Sequence, residues 1–411
     1  MKKKILFCGN GMSAEILKEL HKMFSVCVIT EFIHDNGLKY ADKVVFANTK
    51  NYREALETAK KVHKEGFNFD AVLSLCWDCP MSVAAIAEEF NLFGISFDVA
   101  KNSTIKSLRS NLFQKHCVPA PKYCLCKTFL DVIDAINNIG LPVVLKPITQ
   151  SSSKGVILVE DMEYLASAYR YCLRFSGDNQ VLVNEFIKGT EFSTEGLMVN
   201  GVFHLTGISE RLFHYKKYKP FFFLLCDVMP VKLNKEEVEL FRKNTEKAAL
   251  ALSIDKGIVK GDLIYTNEKK IIILEITPRL GGPRFGTEMV PLNNGTNILL
   301  AMIQQALGEE INNYYLNAHY NKGVVNRAIF PKEGIIEKIV GLDIIKNLPG
   351  YYDFKWFRDM PLHKGDIIYS PQNMCGGVGY IIATGATRNE AVKNADLIEE
   401  NLIIKTKGLN K

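Results

Sequence analysis

Residues 257–286, GIVKGDLIYTNEKKIIILEITPRLGGPRFG, constrain the fold of this 411-residue chain more than any other stretch. Two runs rich in β-branched residues, Ile258 to Tyr265 and Ile271 to Ile276, flank the polar tip Asn267-Glu268-Lys269-Lys270, which is the pattern of a β-hairpin. A turn centred between Glu268 and Lys269 sets Asp262 opposite Glu275, with Cβ atoms about 5 Å apart. Thr277 follows Glu275 by two and points the same way. Arg279 continues the line where the strand gives way to a glycine-rich loop. Two carboxylates this close repel each other unless a cation lies between them. Oxygen ligands on a rigid sheet suit Mg²⁺, which also recruits nucleotide phosphates. A merely solvated hairpin would have little reason to place one Glu within IIILEI.

The length implies two or three compact units rather than one small domain. Apolar residues at 47% and charged residues at 23% match ordinary globular usage, which argues against a disordered or fibrous chain. The net charge of +6 is mild and spread along the chain, so a nucleic-acid partner is not expected. The opening MKKKILFCGNG imitates an export signal, but its apolar run is broken at once by glycine and asparagine. No apolar run is long enough to span a bilayer, so no membrane partner is expected and the expected place is cytoplasmic. Ten cysteines without the spacing of a disulfide framework are expected to stay reduced.

Residues 1–97 alternate short strands (Lys4 to Cys8, Val26 to Thr30, Ala71 to Leu75) with helices (Ser13 to Met23, Tyr52 to Glu65, Met81 to Phe90), which predicts a doubly wound parallel sheet. Gly9-Asn10-Gly11-Met12-Ser13-Ala14 lies between the first strand and helix, with Glu31 about twenty residues on. This leaves open either a dinucleotide site or a plain tight turn. Cys76-Trp77-Asp78-Cys79 has no second CxxC or His pair at zinc spacing and reads as a loop. A helix is expected over Asn102 to Cys117, stopped by Pro119 and Pro121. Further on, Lys146 ends the strand Pro142 to Lys146, and a serine-rich loop runs through Ser151, Ser152, Ser153 and Lys154 to Gly155. Such a loop offers successive amides and hydroxyls to an anion, with Lys146 as a point charge. No GxxxxGK[ST] motif occurs. The basic and aromatic run Arg211 to Phe223 reads as a loop on the substrate side, and the last quarter shows no catalytic constellation.

The Lys106 segment, PVVLKP with its serine loop, VLVNEFIKGTEFSTEG and LEITPRLGG together resemble the ATP-grasp superfamily, most nearly its carboxylate-amine ligase branch, which includes L-amino acid ligases. The resemblance covers nearly the whole chain. It implies an α/β and α+β architecture: an N-terminal doubly wound parallel-sheet domain (1–97), an ATP-grasp domain (98–308) comprising a small lid subdomain (about 118–187) and a central mixed-sheet domain, and a C-terminal α+β lobe (309–411). Position by position, it places Lys106 and Lys146 on the nucleotide phosphates under the closing loop of Ser151, Ser152, Ser153 and Gly155. Glu185, Phe186 and Ile187 fall at the adenine edge and Glu191 at the ribose. Asp262, Glu275 and Thr277 correspond to the ligands of Mg²⁺ or Mn²⁺, and Arg279, with Lys146, faces the transferred phosphoryl group. Asn184 stands where Glu is frequent, Thr277 where Asn is usual, and Leu224 near where a substrate-side Glu is common, which implies a more apolar substrate.

The function implied is ATP-dependent ligation of a small carboxylate to an amine through an acyl phosphate, releasing ADP and phosphate. The expected assembly is a homodimer. Three readings compete with it: a bicarbonate-activating relative, an NAD-binding module on the first domain, and a nucleotide-binding scaffold without activity.

Overall fold

The computed structural model describes residues 2–9, 14–33, 35–213, 219–282, 284–373 and 377–408. Strands β1 (Lys4–Cys8), β2 (Ser25–Thr30), β3 (Lys43–Phe46) and β4 (Ala71–Leu73) pair in parallel in the order β3-β2-β1-β4, with helix Ala14–Met23 between β1 and β2, helix Tyr52–Lys64 between β3 and β4, and helix Pro80–Glu89 after β4. β3 has no counterpart in the sequence reading, because four residues, KVVF, are too few to show a period. The Tyr52–Lys64 helix starts where the Asn51 side chain accepts from the amides of Arg53 and Glu54, and it buries Ala55, Ala59 and Val62 on one stripe.

The single helix expected over 102–117 is two helices, Phe97–Thr104 and Lys106–Lys115. Ile105 between them is extended. The Arg109 side chain takes the Ser103 carbonyl at 2.8 Å, and the Lys106 amide donates to the Ile148 carbonyl at 3.2 Å. The kink therefore puts Lys106 at a helix start, against the loop it was expected to serve.

A small antiparallel sheet, β5-β8-β6-β7, is built from β5 (Tyr123–Cys126), β6 (Val143–Pro147), β7 (Ile157–Val159) and β8 (Val181–Glu185). It has its own core of Val132, Ile136, Val143, Leu145, Val181 and Val183. The large sheet begins with β9 (Thr190–Val199), β10 (Val202–Phe213), β11 (Leu224–Met229), β12 (Gly257–Tyr265) and β13 (Ile271–Thr277). After these come β14 (Gly323–Ile329), β15 (Gly334–Val340), β16 (Tyr351–Trp356), β17 (Ile367–Ile368), β18 (Gly379–Gly385) and β19 (Ile403–Lys407). The order β13-β12-β9-β10-β11-β14-β18-β16 shows one eight-stranded sheet running across position 308, while β17-β15-β19 forms a separate small sheet. Parallel pairing is confined to the first sheet among the described residues.

Helix Ile298–Ala306 joins the first sheet to the large one: Ile298, Ala301, Met302 and Ile303 share one core with Ile5, Phe7 and Leu73 on one side and Leu197 and Ile258 on the other. Burying each such aliphatic side chain is worth about 1.5–3 kcal/mol. This packing brings the loop after β4 against the loop after β13.

In the hairpin, Asp262 does lie opposite Glu275, but not through a symmetric turn. Tyr265 pairs with Ile271 and Ile264 with Ile272, which centres the turn on Glu268 and would set Asp262 against Leu274. A β-bulge between Asp262 and Leu263 leaves Leu274 as the extra residue and restores the carboxylate pair.

Candidate active site

A cavity of about 590 Å³ lies between the small sheet, the large sheet and loops of the first sheet. The two-residue period of the strands sorts their side chains. On β6, Val143 and Leu145 enter the small-sheet core while Val144 and Lys146 line the cavity. On β8, Val181 and Val183 turn inward while Leu182 and Asn184 line it. On β12, Val259 and Leu263 are core, and Lys260, Asp262 and Ile264 face the cavity. The bulge lets Leu274 and Glu275, consecutive on β13, both line it.

The cavity floor is a lattice of charge. Strand registers align Glu275, Asp262, Ser193 and Ser209 across four strands, with Ile264, Glu191 and Arg211 in the adjoining row. Ser193 Oγ donates to Asp262 Oδ1 at 2.6 Å, Arg211 pairs with the same oxygen at 3.0 Å, and Lys260 Nζ pairs with Oδ2. Burial opposes ionisation of Asp262, but Arg211 and Lys260 outweigh it and hold the carboxyl well below the usual carboxylate range. Arg109, with its side chain 5% exposed, pairs with Glu275 Oε1 at 3.1 Å. Against the effect of burial, Arg109, Lys260 and Lys106 keep Glu275 low as well. Both opposed carboxylates are therefore ionised. Burial pushes Glu191 upward despite its pair with Arg211. Lys146 is depressed to about 8, chiefly by burial and then by Lys106 and Arg109. Burial lowers Lys106 too.

Most of the residues expected at a site do line this cavity: Lys106, Lys146, Ser151 to Ser153, Glu185 to Ile187, Glu191, Asp262, Glu275, Thr277 and Arg279. Their present partners refine the expectations. Lys106 Nζ donates to the Gln150 carbonyl at the head of the serine loop. Ser152 and Ser153 have φ of 58° and 56°, and Gly155 has φ of 72°, so three residues of the loop are left-handed, while the amides of Lys154 and Val156 donate to the Ser151 and Ser153 carbonyls at 3.2 Å. Gly155 itself does not border the cavity; it permits the turn, and a Cβ there would lie 2.9 Å from Phe175 Cβ. The Glu185 amide donates to the Lys122 carbonyl at 2.9 Å and the Phe186 amide to the Pro142 carbonyl at 3.2 Å, so neither amide is free for a ligand. Glu191 is held by Arg211, not left open for hydroxyls. The Thr277 hydroxyl turns to the Lys260 carbonyl at 3.5 Å. Arg279 Nε donates to Asp78 Oδ1 at 3.1 Å, which makes the CWDC loop part of the cavity wall.

The sequence reading missed Arg109 and Lys260 and put Arg211 in a substrate-side loop, whereas Arg211 lies on β10; these are the cations that hold the carboxylates. It also missed Glu195, fully buried and pushed up to about 8, whose two oxygens accept from the Gly281 amide at 3.1 and 2.8 Å and so anchor the Arg279 loop. The last quarter, whose sequence showed no catalytic constellation, supplies Lys355, Trp356, Phe357, Asp359 and Tyr380 to the wall. Lys260 stands two residues from Asp262, a spacing that the strand period could have flagged. The others are distant in sequence and carried no such signal. His214 to Tyr218 of the basic and aromatic run lie outside the described residues, while Phe222 and Leu224 beside them line the cavity.

The dinucleotide alternative meets a filled crevice. Asn10 to Ser13 lie outside the described residues, but a Cβ on Gly9 would collide with the Trp77 ring. Glu31 is taken by the Thr49 amide at 3.1 Å and hydroxyl at 3.2 Å.

Comparison with known proteins matches the ATP-grasp domain family over residues 139–287 and the family of L-amino acid ligase C-terminal domain 2 over residues 327–407. The uncharacterized protein y4rH of Sinorhizobium fredii is 26% identical over 412 residues, covering 93% of this chain and 83% of that one. The D-alanine–D-alanine ligase of Flavobacterium psychrophilum is 32% identical over 147 residues, covering 33% of this chain and 43% of that enzyme. Among solved structures, the L-amino acid ligase from Bacillus licheniformis superposes with a TM-score of 0.83 at 21% identity, covering 99% of each chain, a likeness of fold.

Proposed function

Because the chain belongs to the ATP-grasp superfamily, in its carboxylate-amine ligase branch, we propose that it uses ATP to activate a small carboxylate, an amino acid or related acid, for attack by an amine. A carboxylate oxygen attacks the γ-phosphorus and ADP leaves. The amine nitrogen then attacks the acyl carbon, and phosphate leaves with that carboxylate oxygen while the amine gives up a proton. One observation carries this reading: Asp262 and Glu275, opposed in register, face the same cavity as Lys106, Lys146 and Arg279.

The carboxylate pair fits a divalent cation. Both groups are ionised hard oxygen donors on adjacent strands, and Mg²⁺ is commonly held by one or two carboxylates plus phosphate oxygens and water. Asp262 and Glu275 would hold Mg²⁺ or Mn²⁺, with Thr277 beside them; the ion when bound neutralises phosphate charge. Lys106 and Lys146 bind phosphates, and the left-handed serine loop closes over them. Arg279, held by Asp78, meets the charge that develops on the phosphoryl group. Glu185, Phe186 and Ile187 border the base, and Glu191 reaches the ribose in exchange for Arg211. Phe222 and Leu224 favour an acid with an apolar side chain. The free cysteines among the described residues support a cytoplasmic place, and among them no helix is long and apolar enough to cross a membrane. A homodimer is the assembly that light scattering would check.

The test is isotopic. With ¹⁸O-labelled carboxylate, the released phosphate should carry one labelled oxygen and the nucleotide product should be ADP. AMP, or unlabelled phosphate, would overturn the acyl-phosphate route.

A further inference from the structure

Arg279 reaches the cavity from a loop that is held from behind. Its Nη1 donates to the Leu280 carbonyl at 3.0 Å, so the guanidinium rests on the peptide that follows it. The N–H of that same Leu280–Gly281 peptide donates to both oxygens of Glu195, at 3.1 and 2.8 Å. Glu195 lies on β9, two residues past Ser193 on the same face, is fully buried, and does not border the cavity. A single peptide group thus joins a buried carboxyl to the cation that faces the cavity. The glycines of the loop are matched to that carboxyl: a Cβ on Gly281 would lie 2.6 Å from Glu195 Oε2, and one on Gly286 would lie 2.8 Å from the same atom. Cys76 Sγ, from the loop after β4, donates to the next carbonyl along, that of Gly281, at 3.4 Å.

We propose that Glu195 is a positioning residue for phosphoryl transfer: by holding the Gly281 amide it fixes the direction of the Leu280–Gly281 peptide and, through the Leu280 carbonyl, the place of the Arg279 guanidinium. The proposal rests on the nucleotide reading of this cavity. The peptide has a second direction open to it, because Gly281 carries no Cβ to oppose a reversal. Reversed, it would turn the Leu280 oxygen toward the Glu195 oxygens and the amide toward the guanidinium, setting acceptor against acceptor and donor against donor in a buried setting. Without Glu195, half of that penalty is gone. Asp78 holds the guanidinium at Nε, at 3.1 Å, and the Leu280 carbonyl holds it at Nη1. Both holds matter, since charge developing on a phosphoryl group is best stabilised by donors already in position.

Calorimetric titration of the full chain with Mg-ADP, with and without aluminium fluoride, tests this without the acid or the amine, because fluoroaluminate beside ADP imitates the transferring phosphoryl group. Aluminium fluoride should tighten Mg-ADP binding to the wild-type protein on the order of a hundredfold, and Arg279→Ala should remove most of that gain. Glu195→Leu fills the space without an acceptor, and Glu195→Asp draws the carboxyl back by one carbon. Both should bind Mg-ADP alone within about threefold of wild type yet keep less than about a tenth of the fluoride gain. Glu195→Gln leaves an acceptor at the same reach and should hold the gain within about threefold. In an Arg279→Ala background, neither Leu nor Asp at this position should weaken the fluoride complex by more than about twofold further. A full gain in folded Glu195→Leu or Glu195→Asp, a matching loss of affinity for Mg-ADP alone, or a further loss in the Arg279→Ala background would overturn the positioning role. Mg-ADP binding to wild type with no fluoride gain would overturn the task given to Arg279 and with it that of Glu195, whereas no binding of Mg-ADP at all would overturn the nucleotide reading itself.

Discussion

The neighbouring loops after β1 and β2, which carry Gly9 and Glu31, and the hairpin β12–β13 each place acidic residues in a setting that suggests nucleotide binding, yet they end in opposite states. In the first, Glu31 spends its carboxylate on Thr49 and the Trp77 ring covers Gly9. In the second, Asp262 and Glu275 are held by cations on the floor of an open cavity. A carboxylate accepting from an amide and a hydroxyl inside its own domain has a structural task. A carboxylate held by mobile-ended Lys and Arg side chains can exchange those partners for a ligand's metal and phosphates. The partner set, not the local motif, separates the two.

The strongest way to break this contrast is Glu275→Gln. Turnover should fall on the order of a thousandfold or more, because charge neutralisation at the phosphates depends on that site. The fold should survive, since the amide oxygen can still accept from Arg109 and Arg109 also holds the Ser103 carbonyl. Steady-state rates alongside circular dichroism would check both halves, and near-normal turnover would dissolve the distinction between the regions.

A smaller effect sharpens it through pH. Lys146, depressed to about 8, is cationic below that value and neutral above it. Affinity for ADP should therefore hold through neutral pH and weaken as pH rises past about 8, whereas Lys146→Arg should extend strong binding upward, because guanidinium stays charged. Binding isotherms at several pH values in the two proteins decide the matter; a flat wild-type profile would show that Lys146 carries no phosphate.

The smallest effect belongs to the filled crevice. Glu31→Gln should leave turnover unchanged and cost at most about 1 kcal/mol in a urea titration, the worth of an ordinary hydrogen bond. A collapse of activity, or a rise in melting temperature with NAD, would move the Glu31 crevice from scaffold to site.

Much of the fold was legible because its signals are local. The apolar runs Lys4 to Cys8 and Pro142 to Lys146 announced the strands Lys4–Cys8 and Val143–Pro147, and the pattern over Tyr52 to Glu65 announced the helix Tyr52–Lys64. Lys43–Phe46 was not legible, being too short for periodicity. The break at Ile105 was not either, because its causes are the Ser103 carbonyl's bond to a side chain and an amide bond to Ile148, more than forty residues away. Within the site, Lys146, Asp262, Glu275 and Arg279 could be named from strand patterns and a family likeness. Arg109, Glu195 and the wall residues Lys355, Trp356, Phe357 and Asp359 could not, since nothing in their own neighbourhoods marks them.

The sequence by itself determined where the strands of the central hairpin run and that Asp262 and Glu275 share a face, because side-chain direction along a strand follows a period of two and needs no distant information. Even there the route differed, for the bulge at Leu274 and not a symmetric turn restored the pair. Only the tertiary structure decided the charge state of that pair and the fate of Glu31. Those depend on which buried groups meet at about 3 Å, and Coulomb interactions and hydrogen bonds in a low-dielectric interior are set by distance in space, which residue number does not encode.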